Sequence, residues 1–456
     1  MKSKGYILLF FIILLSFIIF PQLAIIINFN NNGFSTIQCY GPEIDVDLEN
    51  NIHTTWISSE ESEDHASQHF SFVYAKKSMN STYWSDIKTL YNPTKDISFD
   101  PQLAVDKEEN LHLVWYENNR VYYRFWNDTQ KIWDPIETIS DFKEPWSSSP
   151  RILVDDNFNV HVVWRDQGNY SGEGYEDNLL YRCKNTTNGI WQSIEMLTFE
   201  NSTSIYDQSI TLDNDHNLAV AWIEEGRVYY KLRYYNNGTW TNSKFLSSFT
   251  GHSCENPSIM SDAANNFHFV WKEWAYPNPI IRYAKYVRNT DYLSNVQIFQ
   301  GERASNPAIA LDQYGNVHVA WESGTGDDID IWYCYNPHFP VTYEKVSTES
   351  ISHSQFPSLA VGTNNIVHFL WSDVSPYKGA SEFSYDIFYK FKNITSGEWN
   401  STIVLSPSNN FIFPVQLHPF WLSLLGLILI ILITDLGFII FRNSKLKKII
   451  YHGIQE

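Results

Sequence analysis

Residues 101–115 read PQLAVDKEENLHLVW, and the chain carries seven lines of this form that align without a gap. The others are PEIDVDLENNIHTTW (42–56), PRILVDDNFNVHVVW (150–164), QSITLDNDHNLAVAW (208–222), PSIMSDAANNFHFVW (257–271), PAIALDQYGNVHVAW (307–321) and PSLAVGTNNIVHFLW (357–371). Their last residues are Trp56, Trp115, Trp164, Trp222, Trp271, Trp321 and Trp371, spaced by 59, 49, 58, 49, 50 and 50 residues. Pro stands fourteen positions before Trp in six copies, with Gln208 in the fourth. Asp stands nine before it in six, with Gly362 in the seventh. His stands three before it in six, with Ala219 in the fourth. Agreement at so regular a period marks a repeat architecture.

Each copy reads as a β-hairpin. A short β-prone arm such as LAVD leads into a D-x-x-x-N turn, where Asp accepts local backbone N–H bonds and Asn or Gly tolerates left-handed angles. The second arm, such as NVHVVW, alternates faces. A Tyr-rich third strand follows (RVYYRFW at 120–126, RVYYKLR at 227–233), then a fourth, opened by Trp84, Trp133, Trp191, Trp240 or Trp399 in five copies. Four strands in about 50 residues, repeated in series, predict propeller blades. A closed ring buries the faces that a row of open sheets would expose. The expected fold is therefore an all-β, seven-bladed β-propeller of four-stranded blades over residues 28–406. The last repeat supplies its own fourth strand, WNSTIVLS, so closure needs no strand exchange. Residues 33–40 are a candidate extra edge strand.

The pattern P-x-[IL]-x-[VL]-D-x-x-x-N-x-H-x-x-W, followed by a Tyr-rich and a Trp-opened strand, resembles the repeats of sialidase-like (BNR-type) propellers over residues 42–406. The resemblance implies the fold; activity is a separate question, since propellers host many functions. The family's Asp-box, S-x-D-x-G-x-x-W, belongs between third and fourth strands. Here those turns read NTTNGIW, NNGTW and TSGEW, with Gly and Trp but no Asp. The resemblance also implies a test for sialidase chemistry: an arginine triad on the substrate carboxylate, a Tyr nucleophile helped by Glu, and an acid/base Asp. Arg151, Arg165 and Arg303 fall on one expected face, two on the third blade and one on the sixth, and no catalytic residue is carried over.

The ends read differently. Residues 6–27 are almost wholly apolar after Lys2 and Lys4, so residues 1–27 form an apolar helix that serves as a signal peptide or a retained N-terminal anchor. Residues 420–441 form a second apolar run, long enough to span a bilayer as a transmembrane helix. Residues 407–419 are its linker. Residues 442–456 are a basic tail, cytoplasmic by the positive-inside rule. The propeller is then outside the cytoplasm, in the cell membrane. Eight N-x-[ST] sequons agree: Asn80, Asn127, Asn169, Asn185, Asn201, Asn237, Asn393 and Asn400. With 16% aromatic and 18% charged residues the chain reads as ordered and strand-rich. Its net charge of −19, with basic residues clustered only in the tail, argues against a nucleic-acid partner.

Few residues carry a chemical signal. The repeated His53, His112, His161, His268, His318 and His368 lie on successive blades and cannot converge on a metal. They read, with the repeated Trp and Asp, as packing residues between blades. The loops after the second strands are the candidate ligand-binding loops. They carry Glu60, Glu61, Glu63 and Asp64 in the first blade, Asp166, Glu173, Glu176 and Asp177 in the third, and Asp327, Asp328 and Asp330 in the sixth. Their carboxylates leave Ca²⁺ open, without EF-hand spacing; no other cofactor and no metal site is expected. Cys39 and Cys254 share a register in blades one and five, and Cys183 and Cys334 lie in third strands of blades three and six; non-adjacent blades cannot bring such pairs together, so no disulfide is expected. Two functional readings follow: a membrane-anchored module binding a protein or glycan ligand, and, as the alternative, a membrane-anchored exo-sialidase-type glycoside hydrolase.

Overall fold

A computed structural model describes residues 37–406 except 62–67, 86, 94–97, 141–145, 169–176, 186–187, 199–203, 247–251, 327, 338–340 and 375–384. Both apolar runs, the linker and the basic tail lie outside the described residues. Among those described, the one helix is a single 3-10 turn, Arg288–Thr290, and no helix is long and apolar enough to cross a membrane.

The described chain forms seven antiparallel sheets in strand order 1-2-3-4, a seven-bladed β-propeller. The innermost strands are Ile37–Val46, Ser98–Val105, Ser147–Val154, Ile205–Leu212, Cys254–Ser261, Ser305–Leu311 and Ser354–Val361. They pack against one another in sequence, and the first packs against the seventh. Residues 37–40 thus extend an inner strand, where an added edge strand had been expected. The fourth strands also depart from expectation. Trp84 precedes its strand, Lys88–Tyr91. Trp240 and Trp399 make only isolated bridges, to Arg233 and Lys392, before the strand proper. Three of the five indoles also have a second task. Trp191, Trp240 and Trp399 donate across the rim to Glu137, Glu195 and Glu344 of the preceding blade at 2.8–2.9 Å.

Seven hydrophobic clusters, one per blade interface, make the core. Each repeated Trp packs on the blade before it: Trp115 against Phe72 and Leu90, Trp164 against Val114 and Tyr123, Trp321 against Ile281 and Tyr283. Trp56 closes the ring on Leu370, Ile387 and Tyr389 of blade seven. All seven are at most 1% exposed. The same seam carries hydrogen bonds from the Ile44 amide to Ser358 Oγ (3.3 Å) and from Asn50 Nδ2 to Thr363 Oγ1 (2.8 Å).

The D-x-x-x-N turns cap the other end of each hairpin. Asp47 Oδ1 accepts the amides of Glu49 and Asn51, and its Oδ2 accepts Asn51 Nδ2 (2.8 Å) and His53 Nε2 (3.2 Å). The left-handed residue is the fourth of each turn, before the Asn in six copies and before Ile366 in the seventh: Asn50, Glu109, Phe158, His216, Asn265, Gly315 and Asn365. The His packs within its own blade, where packing between blades had been expected. Its Nδ1 meets a Tyr hydroxyl of the third strand at 2.7–2.9 Å in all six copies, as in His53–Tyr74 and His368–Tyr389. The second strand runs antiparallel beside the third, which brings the two side chains opposite. At His53, His112 and His268 the Nε2 also meets the turn Asp at 3.0–3.2 Å, so the ring ties the turn to the third strand.

Burial pushes His112, His268 and His318 below the ordinary imidazole range, against the opposing pull of their Asp partners. Blade seven has Gly362 in place of Asp, and burial with the charge of Lys77 holds His368 down at about 3. In the unfolded chain these groups titrate near about 6.5. The unfolded state therefore binds more protons below that value, and stability present above it is lost as pH falls toward the folded values. Melting temperature should drop between pH 7 and pH 4. His368→Gln should flatten that slope; an unchanged slope would remove His368 as a contributor.

Candidate functional site

Every inner strand carries a bulge at one register, the first between Tyr40 and Glu43 and the last between Gln355 and Ser358. The bulged residues are Gly41, Asp100, Ser149, Asp207, Asn256, Asn306 and Phe356, all left-handed with φ between 47° and 62°. Asp and Asn enter this region more readily than most side chains, and a bulky residue such as Phe356 is strained there. Strain repeated around a ring, and bulges that re-aim side chains, point to a site. The site is the axial mouth on the face where inner strands begin and second strands end. Consecutive bulges touch: Asp207 accepts the Asn256 amide at 3.0 Å.

The mouth is polar, with an acidic excess. Burial holds Asp207 above the ordinary carboxylate range, against the Asn256 bond and the charge of Arg151; Glu255 and Asp100 add to the rise. Glu322 is buried, accepts Asn306 Nδ2 (2.8 Å) and the Phe356 amide (3.0 Å), and is likewise raised by burial. Lys272 Nζ binds Glu255 Oε2 at 3.0 Å and lies 3.7 Å from the centroid of the Trp274 ring. Trp274 donates its indole N–H to Glu255 Oε1 at 2.7 Å, and its backbone amide to the Ser253 carbonyl at 2.8 Å. Thus locked, the indole is still 47% exposed, and Tyr276 two residues on is 94% exposed.

The acidic-loop residues divide. Glu63, Asp64, Glu173, Glu176 and Asp327 lie outside the described residues; Glu60 and Glu61 end the second strand of blade one, Ile52–Glu61. Three of the others are structural. Asp166 is fully buried and accepts Ser147 Oγ (2.5 Å) and Trp164 Nε1 (3.2 Å). Asp177 holds both forks of Arg165. Asp330 holds Ser347 and Lys345. Asp328 is exposed. No group of three His, Cys, Asp or Glu poised to hold a metal ion occurs among the described residues. The three arginines do not form one cluster of partners. Arg165 is bound to Asp177, Arg151 Nη1 to the Pro150 carbonyl (2.9 Å), and Arg303 is exposed in the connection between blades five and six.

Asp166 belongs to a row that went unread: an acid two residues after the repeated Trp, in Glu117, Asp166, Glu224, Glu273 and Asp373. The signal was W-x-[DE]. Trp222 and Trp371 donate to theirs at 3.0 and 2.8 Å. The four cysteines are free and buried; burial pushes the thiols of Cys39 and Cys334 up to about 12 and that of Cys183 to about 11. Asn80, Asn127, Asn185, Asn237 and Asn393 lie at turns between third and fourth strands, opposite the mouth, with Asn400 beside them; Asn169 and Asn201 lie outside the described residues. Further down the axis, between blades one to three, a pocket of about 270 Å³ is lined by Glu43, Asp45, His53, Leu103 and Ile152.

No known family profile matches the chain, and no curated protein matches it in sequence. Solved structures do match in fold. An ulvan lyase, a polysaccharide lyase, aligns over 75% of this chain and 92% of its own at 10% identity and a TM-score of 0.52. A Hadza microbial sialidase aligns over 82% and 87% at 10% identity (TM-score 0.42), and a leech intramolecular trans-sialidase over 77% and 68% at 10% (TM-score 0.40). At such identities the likeness is one of fold alone.

Asp166→Ala should cost ~1–3 kcal/mol by leaving Ser147 and Trp164 with buried unpaired donors. Asp328→Ala should stay within about 0.5 kcal/mol. Equal shifts in melting temperature would contradict the division of the acids.

Proposed function

We propose that the protein is a membrane-anchored extracytoplasmic binding module whose axial mouth takes a glycan. The observation that carries this is Trp274: an indole fixed by one hydrogen bond and a cation on a backbone held by a second, with nearly half its surface free, beside donors and acceptors on neighbouring inner strands. A pyranose offers an apolar C–H face to such a ring and hydroxyls to side chains like Asn256, Asp207 and Asn306. Because the ring is immobilised before binding, little rotamer entropy is lost on contact. The anchor is the apolar run at 420–441 with its basic tail.

The hydrolase alternative has one neighbour pair in its favour. Tyr385 stands near Glu322, yet burial and the charges of Glu322 and Asp373 raise its hydroxyl, away from an activated nucleophile.

A glycan array probed with the full-length protein in detergent tests the proposal. Binding should be retained by wild type and reduced at least tenfold by Trp274→Ala at unchanged melting temperature. Array binding indifferent to Trp274, or steady release of sialic acid from a fluorogenic sialoside, would overturn it.

A further inference from the structure

The charge at the mouth says which glycans fit. Four carboxylates gather there, Asp100, Asp207, Glu255 and Glu322, against three cations not held by other acids of the strand ends, Arg151, Lys272 and the exposed Arg303. Lys272 is paired with Glu255, so its charge is already answered. Arg151 has no carboxylate within ion-pair distance among the described residues, but Asp207 and Asp100 share its surroundings. An acidic sugar entering here meets net negative charge on a desolvated surface. Asp207 and Glu322 each hold hydrogen-bond donors without a direct ion pair, and burial raises both carboxyls against the charges of Arg151 and Lys272.

A second observation marks the same place as incomplete. Gln208 stands beside Asp207 where six other blades have Pro. It is 2% exposed, and neither its amide oxygen nor its nitrogen has a partner. Buried amides are nearly always satisfied, so an open donor and acceptor beside the Asp207 bulge is an unmet hydrogen-bond demand at this one blade.

We propose that the mouth is selective for glycans bearing free amino groups, a protonated amino sugar stacking on Trp274 with its ammonium toward Glu322 and Asp207. This rests on the glycan reading above and adds the ligand's charge.

Calorimetry on the full-length protein in detergent decides it, with three probes: a glucosamine tetramer, its N-acetylated form and a sialylated trisaccharide. The glucosamine tetramer should bind at least tenfold more tightly than the N-acetylated one, and the sialylated probe most weakly. The amine preference should shrink as salt rises. Asp207→Asn with Glu322→Gln should abolish that preference, so that the glucosamine tetramer binds no more tightly than the N-acetylated one, in protein that still melts cooperatively. Trp274→Ala should weaken both tetramers. Tightest binding of the sialylated probe, or an amine preference that survives the double substitution, would overturn the charge selectivity and leave the glycan reading standing. Binding of none of the three would overturn both.

Discussion

The structure depends on one demand: each repeated Trp must be covered by the blade before it. No blade can satisfy this alone, because its own Trp faces outward from its sheet onto a neighbour. Burying seven indoles in series requires a seventh interface, and Trp56 supplies it against Leu370, Ile387 and Tyr389. Closure is noncovalent, since every blade contributes its own four strands and the seam holds packing, side-chain hydrogen bonds and a backbone bond from the Cys39 amide to the Tyr385 carbonyl (2.7 Å). Aromatic burial on this scale dominates the energetics of any interface. The ring should therefore gain or lose its structure as a unit.

Carboxylates fix the two ends of each blade in different ways. On the turn face, Asp gathers the turn amides, Asn and His, and the His passes the network to a third-strand Tyr. That Tyr meets the rim Trp of the next blade edge-on, as Tyr123 meets Trp191 and Tyr181 meets Trp240. On the mouth face, the acid two residues after Trp receives the indole or a nearby donor. Where the sequence breaks the pattern, the structure compensates unequally. Blade four has Ala219 for His, and Asp213 takes Arg288 of blade five at 2.7 Å. Blade seven has Gly362 for Asp, and His368 Nε2 is left without a partner. Both ends being rigid, the bulges between them can hold strained, polar residues at the axis.

The sequence made the ring legible because its determinants recur at one register. Trp, Asp, Asn and His repeat in place, and blade number follows from counting them. The mouth was not legible for the opposite reason. Its bulged residues are Gly, Asp, Ser, Asp, Asn, Asn and Phe, sharing a backbone conformation rather than a side chain, so no residue type betrays them. The site takes one or two residues from each of several blades spaced some 50 residues apart, and only closure brings Asp100, Arg151, Asp207 and Glu322 to one place. In the acidic loops, acid count alone does not separate exposed carboxylates such as Asp328 from those taken up at strand ends. Asp166, Asp177 and Asp330 stand at strand ends, where Trp164, Arg165 and Lys345 take them up. Trp274 was hidden by proximity, three residues beyond a more conspicuous Trp.

Hydrogen–deuterium exchange with and without a saturating oligosaccharide tests the central claim, that ligand is held at the axial mouth, most directly. Added protection should fall on the bulges near residues 98–102, 147–151, 205–209 and 254–258 and on 272–276, with the D-x-x-x-N turns unchanged. Protection confined to those turns, or to the sequon-bearing turns on the same face, would place the ligand at the wrong end of the ring and contradict the account.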